Sequence, residues 1–105
     1  MSFARRWEVW MIDLGMAAKP RPALLLSIAY RDNERAIVTY VPRTLSARGT
    51  TFEVPHNARG FEAGAFDAQG LGGVPPIRLI RRLATLDRVT LSNVESAVRS
   101  WLGLP

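Results

Sequence analysis

The stretch KPRPALLLS, from Lys19 to Ser27, places an arginine between two prolines and directly before an apolar run. Proline fixes its own φ and biases the preceding residue toward extended backbone, so Arg21 lies on a stiff, extended entry to a strand. A guanidinium held in this way can direct two N–H donors at one anion. Arg21 is therefore the first candidate for chemistry, and Lys19 precedes the other proline.

Charge and composition limit the partners and the kinds of site. The net charge is +5, with 13 arginines and one lysine, which indicates an anionic partner: RNA, DNA or an acidic protein. The absence of cysteine excludes disulfides, thiolate metal sites and a cysteine nucleophile. One histidine and scattered carboxylates provide no metal-ligand spacing, so we expect neither a metal nor a cofactor.

The totals are those of an ordinary globular protein, with 48% apolar and 22% charged residues among 105. We therefore expect one domain, residues 1–105. The N-terminal stretch carries charges through its apolar part, which argues against both a signal peptide and a membrane span. A cytoplasmic protein is the simplest expectation.

The first half of the chain reads as strands rich in aromatic and β-branched residues. We predict strands over residues 6–14, 22–30, 35–42 and 50–55, with the second and third forming a hairpin. The first two are apolar on both faces, so a small barrel must cover the inside and a helix or a second subunit the outside. We predict a loop over residues 56–64, which contains His56, and a short strand over residues 65–71 that precedes a break at GGVPP.

The segment IRLIRRLATL, residues 77–86, suits either a helical turn or a strand. Its basic run, Arg78, Arg81 and Arg82, could be a phosphate track, a solvated face or a surface for an acidic protein.

The C-terminus is predicted to be a helix. Ser92 and Glu95 have the spacing of a capping box, and Gly103 stops the helix. Its apolar stripe should pack on the barrel, with Trp101 as the largest anchor.

Four motifs in order, RRWEVWMIDLG, RPALLLS, IVTYVPRT and LSNVESAVRSWLGL, resemble the MazF/PemK family of bacterial toxin endoribonucleases. The resemblance is collinear over nearly the whole chain and includes Gln69 and Arg78. The chain departs from the family pattern at three places. Trp7 stands where glycine is usual, Arg43 where an aliphatic residue is usual, and the loop GMAAKP lacks an acid.

The resemblance implies a mainly β fold with a C-terminal helix, a small SH3-like or CcdB-like barrel that forms a homodimer. It also implies metal-independent cleavage of single-stranded RNA by 2′-hydroxyl attack, restrained by a cognate antitoxin. Its functional arginine and threonine correspond to Arg21 and Thr44. We expect further RNA contacts from four residues: Lys19, Arg43, Gln69 and Arg78.

A hairpin of the second and third strands would bring Arg21 and Thr44 to one end of the fold, since the start of one strand lies beside the end of the other. RNA carries its own nucleophile, so the protein must supply geometry, charge neutralisation and proton transfer. His56 and Glu53 are the candidates for a base.

Two other functions remain open. A barrel of the same fold could poison a protein, as gyrase-directed CcdB toxins do, and SWLGLP faintly resembles their Trp-Gly tail. The second alternative is a family member that binds an antitoxin or DNA and cleaves no RNA.

Overall fold

The computed structural model describes residues 4–15 and 19–105, so that the middle of the GMAAKP loop lies outside it. Within these ranges the chain forms strands and, near its end, one α-helix. In chain order these are β1 (Glu8–Ile12), β2 (Arg21–Leu25), β3 (Val38–Thr44), β4 (Glu53–His56), β5 (Gly64–Asp67), β6 (Gly72–Val74), β7 (Leu79–Thr85) and α1 (Arg88–Leu102).

The strands form one antiparallel sheet in the order β4-β5-β3-β2-β1-β7, and β6 pairs with the first half of β3. Strands β4 and β7 are the two ends of this path. The prediction of a mainly β chain with a C-terminal helix is confirmed.

The predicted hairpin of the second and third strands is confirmed, with Ala23 opposite Pro42 and Leu25 opposite Tyr40. Strand β2 ends at Leu25 rather than at Tyr30. The reason is local: Ser27 Oγ accepts the N–H of Thr39 at 2.9 Å, and a side-chain acceptor there replaces the ladder. Ile28, expected inside the strand, is consequently 79% exposed.

Both faces of the central strands are apolar, as the sequence predicts. One face packs against α1, where Leu24 and Val41 meet Phe66, Leu91 and Val94 in the main core. The other face carries a second cluster around Ile12, Ala23, Leu25 and Val38, with partly buried side chains packed against it: Trp10, Leu14, Tyr40, Val74 and Leu79.

Two further segments contain strands: GGVPP, which the sequence predicts to be a break, and residues 77–86, which suit either a helical turn or a strand. GGVPP contains β6, where a Cβ on Gly72 would lie 2.7 Å from Tyr40 Oη, so glycine allows the close pairing with β3. Residues 79–85 form β7 because β1 offers a strand edge to pair with, from Glu8 opposite Thr85 to Ile12 opposite Leu79.

The helix begins earlier than predicted, and the proposed capping box is wrong. Asp87 is the N-cap, and its carboxylate accepts from Thr90 N at 2.9 Å, so Ser92 lies inside the helix. Glu95 forms an ion pair with Arg6 instead. Gly103 ends the helix with φ 69°, as predicted.

Trp101 is not the main anchor of the helix. It is 44% exposed and packs edge-on against Phe52, with ring centroids 5.3 Å apart. It lies in the last turn, beyond the buried positions Leu91, Val94 and Ala97 that fasten α1 to the sheet.

Trp7, one of the three departures from the family pattern, has a strained backbone. Its φ is 84°, a left-handed value that costs a residue with a Cβ on the order of 1–3 kcal/mol. Its N–H donates to Leu25 O at 3.0 Å, and its carbonyl accepts from Leu86 N at 2.8 Å. These two bonds and packing against the main core hold the residue in a conformation that glycine would adopt freely.

A buried polar pair ties β3 to β4. Arg43 Nε donates to His56 Nδ1 at 2.9 Å, and a second guanidinium nitrogen donates to the carbonyls of His56 and Glu62. Arg43 is 4% and His56 6% exposed, so His56 is a core residue at the end of β4 and not the loop residue that the sequence predicts. Burial, and then the charge of Arg43, lower the pKa of His56 from 6.5.

We expect the free energy of unfolding to fall as the pH is lowered below 6.5, because the unfolded chain then binds a proton at His56 that the folded chain does not. One proton limits the fall to about 1.4 kcal/mol per pH unit. Urea unfolding between about pH 7.5 and about pH 5.5 measures it. His56→Asn keeps an acceptor near Nδ1, does not titrate and removes the chain's single histidine, so its stability should stay constant over this range. Equal slopes for the two proteins would contradict the prediction.

Two valines of α1 provide a matched test of the main core. Val94 is fully buried and Val89 is 70% exposed. We expect Val94→Ala to lower the free energy of unfolding by about 2 kcal/mol, from the two lost methyl groups and the cavity that they leave. Val89→Ala should stay within about 0.5 kcal/mol of the unsubstituted protein. Similar losses in denaturant unfolding would show that α1 does not pack on the sheet through this face.

Candidate active site

Four neighbouring strands place one residue each in a row across the sheet. Leu79 of β7 is opposite Ile12 of β1, and Ile12 is opposite Arg21 of β2. The β2–β3 register, continued by two residues from Ala23 and Pro42, sets Arg21 opposite Thr44. Directly opposed residues share a face, with Cβ atoms about 4.5–5.5 Å apart. On this continuation we expect Arg21 and Thr44 to lie side by side at one end of the sheet, two residues beyond the pair of Ala23 and Pro42.

Arg21 begins β2 and has an exposed side chain. Toward residues 4–15 and 19–105, that side chain makes no hydrogen bond or ion pair. The prolines on both sides restrict its backbone, while the neighbouring positions Ala23 to Leu25 are buried and hold the strand. The guanidinium is thus anchored at its base and has its donors available to an external anion.

Thr44 ends β3 and is half-buried. Its Oγ1 accepts the backbone N–H of Ser46 at 3.0 Å, a local turn that orients the side chain. A hydroxyl that accepts in this way still has its own hydrogen to donate. Thr44 can therefore give one hydrogen bond to an anion held by Arg21.

Arg78 lies next to this row and pairs with an acid that the sequence analysis did not single out. Its Nη1 is 3.4 Å from Asp13 Oδ2, and its carbonyl accepts from Asp13 N at 2.9 Å. The other carboxylate oxygen of Asp13 accepts from Gly15 N at 2.8 Å, an Asx turn for which the sequence Asp-Leu-Gly after a strand is the signal. Because the pair is about half exposed, the bond is weak enough for an anion to compete for Arg78.

Gln69 and Lys19 are exposed near the same end of β2 and β3. Gln69 lies in a short 3-10 turn whose Gly70 packs on Pro42, where a Cβ would come within 2.6 Å of the proline ring. Pro42 shares a face with Thr44, two residues on, so the turn approaches the row from the β3 side. Lys19 precedes β2 by two residues.

Arg43 does not fit the expected phosphate contact. It alternates with Thr44 and points to the opposite face, where its donors are used by His56 and Glu62. Burial lowers its pKa, partly offset by the charge of Glu62. These bonds join Arg43 to His56, 13 positions later in the chain, and to Glu62, 19 positions later. The pairing of β3 with β5 and of β5 with β4 brings these residues together, and no spacing in the sequence indicates it.

Both candidates for a base are engaged elsewhere. The carboxylate of Glu53 accepts from Arg48 N at 2.9 Å and from Thr50 N at 2.8 Å, and these bonds lower its pKa. These bonds stabilise the turn before β4. His56 is buried with its Nδ1 occupied by Arg43. Neither is placed beside Arg21.

Two other classes of site are absent from the part of the chain that the structure describes. Its acidic and histidine side chains nowhere gather in threes as metal ligands would. None of its helices has the length and apolar character needed to cross a bilayer. The arrangement that it does contain is a cationic edge, with Arg21, Thr44 and Arg78 presenting N–H and O–H donors suited to a phosphate.

Comparison with known proteins finds the same fold in several solved structures. Among solved structures, MazF from Deinococcus radiodurans is 26% identical, with a TM-score of 0.79, and 96% of this chain and 97% of that one are covered. An endoribonuclease in complex with its cognate antitoxin, from a mycobacterial species, shares the fold at 24% identity and a TM-score of 0.83, with 97% of each chain covered. Mycobacterium tuberculosis toxin MazF-mt6 has a TM-score of 0.78 at 22% identity, covering 93% of this chain and 98% of its own.

A family model for the PemK-like, MazF-like toxin of type II toxin–antitoxin systems matches residues 5–102. This range includes every strand and the helix, and with them both members of the Arg21–Thr44 pair. The chain therefore belongs to the PemK-like, MazF-like toxin family.

Proposed function

We propose that this chain is the toxin of a type II toxin–antitoxin system and acts in the cytoplasm as an endoribonuclease on single-stranded RNA. The observation that carries the proposal is the β2–β3 register, whose continuation by two residues from Ala23 and Pro42 would set Arg21 opposite Thr44. Family membership and the fold shared with an endoribonuclease of a mycobacterial species support it.

Cleavage begins at the ribose of the substrate. The 2′-oxygen attacks the adjacent phosphorus and gives its proton to water, while the 5′-oxygen of the next nucleotide leaves and takes a proton from water. The products are a 2′,3′-cyclic phosphate and a 5′-hydroxyl. Negative charge builds on the non-bridging oxygens as the fifth P–O bond forms. Arg21 donates two N–H bonds to these oxygens and Thr44 donates one O–H bond, so that both stabilise the transition state more than the ground state.

The two residues act by charge and position and not by accepting a proton. Arginine keeps its proton far above neutral pH, and the hydroxyl of Thr44 is a donor here. We do not propose His56 or Glu53 as the base, because His56 is bonded to Arg43 and Glu53 to the turn before β4. Because RNA supplies the nucleophile, we propose that the reaction requires no metal or cofactor.

The substrate extends beyond the scissile phosphate. We propose that the flanking nucleotides are bound by the residues around the row: Lys19, Gln69 and Arg78. Arg43 is not proposed for this role, because its donors are bonded to His56 and to loop carbonyls. Each phosphate that Lys19 or Arg78 neutralises releases counterions, so binding should weaken with log salt at a slope of about −0.7 per contact.

We propose two protein partners. Trp10, Tyr40, Val74 and Leu79 leave an apolar surface partly buried over the second cluster, which a second copy of the chain can cover in a homodimer. A cognate antitoxin is the other partner, supported by solved complexes of MazE with MazF from Deinococcus radiodurans that share this fold.

We expect the purified protein to cut a long single-stranded RNA in the presence of EDTA and Arg21→Ala to slow cleavage by about 10²–10³-fold, the usual loss of one transition-state donor group. Arg21→Lys keeps the positive charge but loses the paired N–H donors of the guanidinium. Its cleavage rate should therefore lie between those of the unsubstituted protein and Arg21→Ala. Arg35→Ala removes an exposed arginine from the distant β2–β3 turn and should cleave normally. Intact RNA at high protein concentration would favour a non-cleaving toxin, and equal loss in both alanine variants would show that Arg21 has no specific role in cleavage.

Thr44 can be tested by isosteric replacement. Thr44→Val keeps the shape but loses the hydroxyl, and we expect cleavage to slow by about 10–100-fold with RNA binding little changed. Thr44→Ser keeps both the donor and the acceptor for Ser46 N, so it should retain most of the rate. Single-turnover rates measure both variants. Normal cleavage by Thr44→Val would remove the hydroxyl from the mechanism.

A further inference from the structure

An acidic side chain lies beside the cationic row, and the proposed cleavage gives it no role. Asp13 follows Ile12, the last residue of β1, and Ile12 lies opposite Arg21. A carboxylate at this place repels the phosphates that Arg21 and Arg78 are proposed to bind. The contacts of Asp13 show what this carboxylate does instead.

The backbone and the side chain of Asp13 both bind Arg78. The Asp13 N–H donates to the Arg78 carbonyl at 2.9 Å, which continues the β1–β7 pairing by one residue from Ile12 and Leu79. Asp13 Oδ2 lies 3.4 Å from Arg78 Nη1. An exposed ion pair alone is weak, because two side chains must be ordered to form it. Here the sheet has already fixed both backbones, so the carboxylate only has to set the direction of the guanidinium.

The turn after Asp13 borders the same guanidinium. The other carboxylate oxygen of Asp13 accepts from Gly15 N, and Gly15 has a φ of 80°, a left-handed value that favours glycine. A Cβ on Gly15 would lie 3.4 Å from Arg78 Nη1 and 3.8 Å from Cζ. The absence of a side chain therefore leaves room for the guanidinium against the turn. Residues 13–15 form a cradle for Arg78, made of one carboxylate and the bare backbone of a glycine.

Arg78 is fixed at its base and exchangeable at its tip. The two prolines before it, at positions 75 and 76, restrict its backbone, while its side chain is 44% exposed. The ion pair of Arg82 with Glu8 is different, because Glu8 is buried and accepts from two further groups of the fold. The carboxylate of Asp13 is open to solvent, so a phosphate can take its place beside Arg78.

We infer that Asp13 is a positioning residue for the RNA site. In the free protein, Asp13 and the turn to Gly15 hold the guanidinium of Arg78 beside the Arg21–Thr44 row. When RNA binds, one of its phosphates replaces the carboxylate. Arg78 then needs little reorganisation to bind this flanking phosphate, and the contact aligns the scissile phosphate with Arg21. The inference rests on the proposed function and adds to it a residue that neither donates to the substrate nor transfers a proton.

Removal of the charge of Asp13 should change RNA binding and cleavage in opposite senses. Asp13→Asn keeps an acceptor for Gly15 N, and we expect it to bind RNA about two- to threefold more tightly, because a repelling charge is gone. Its single-turnover rate at saturating protein should fall about three- to tenfold, because Arg78 is no longer held. Asp13→Glu restores the charge and should recover most of the rate. A merely structural loss would weaken binding as well, and an unchanged rate would overturn the inference.

Asp32→Asn is the matched control for net charge. Asp32 is exposed in the loop between β2 and β3, and its replacement adds the same charge away from the row. We expect its cleavage rate to be unchanged and its RNA affinity to change less than about twofold. The salt dependence should separate the two variants also. Asp13→Asn frees Arg78 from its counter-charge, so its log–log slope should steepen by up to about 0.7, whereas that of Asp32→Asn should stay the same. Equal effects of the two variants on rate and slope would contradict the inference.

A second cycle tests whether Asp13 acts through Arg78. In the Arg78→Ala background, Asp13→Asn should cause no further loss of rate, because the group that it positions is absent. If the losses from Arg78→Ala and Asp13→Asn multiply, Asp13 acts on the substrate or the fold by another route, and the inference is wrong.

Side-chain NMR of Arg78 tests the exchange without requiring cleavage. The Nε–Hε signal is assigned by its loss in Arg78→Ala, and the ligand is a pool of random seven-nucleotide 2′-O-methyl RNAs, which lack the attacking hydroxyl. We expect Asp13→Asn to shift this signal and to make it more mobile in the free protein, and RNA to shift it in both proteins. A free-protein signal that Asp13→Asn leaves unchanged would overturn the inference even where RNA is cut. If the signal responds as expected while the unsubstituted protein cuts no RNA, the proposed cleavage fails and the exchange at Arg78 stands.

Discussion

The candidate site depends on the antiparallel pairing of β2 with β3. A slip of one residue would turn Arg21 away from Thr44 and move Leu24 and Val41 out of the main core, because side chains alternate between faces. The chain therefore cannot change the site's geometry without losing apolar burial on both faces of the sheet. The same register that stabilises the fold aligns the two groups proposed to bind the phosphate.

The polar side chains on the two faces of the sheet differ in whether their hydrogen-bonding groups are already used. On one face, Arg21 and Thr44 have donors to offer, and Arg78 is held loosely by Asp13. On the other face, Arg43 is buried and fully bonded to His56 and to a loop carbonyl. Adjacent residues in one strand, Arg43 and Thr44, thus differ in their roles: the first holds β3, β4 and the loop together, and the second is proposed to face the substrate.

Local signals in the sequence predicted much of the architecture. Proline stiffening, two-sided apolar strands and a glycine stop were enough for the hairpin, the β-rich fold and the end of α1. The errors came from competition between local alternatives. Asp87 outcompeted Ser92 as the N-cap, Ser27 ended β2 by taking a backbone N–H, and β1 drew residues 79–85 into a strand.

The candidate site rests in part on local signals in the sequence. Arg21 carries a local signal in its flanking prolines, and Thr44 follows from the hairpin and the family motif. The engagement of His56, Glu53 and Arg43 has no such signal, because each depends on contacts between segments that only the folded sheet brings together. Burial and hydrogen bonding, rather than residue type, decide which polar groups are available to a ligand.

A double-mutant cycle on Arg21 and Thr44 tests most directly whether the two residues act on one phosphate. Single-turnover RNA cleavage is compared for Arg21→Ala, Thr44→Val and the protein carrying both changes. Residues that bind the same transition state should be coupled, so the double variant should be less impaired than the product of the single effects, by at least about tenfold. Effects that multiply fully would show that the two groups act independently, and the shared site would be wrong.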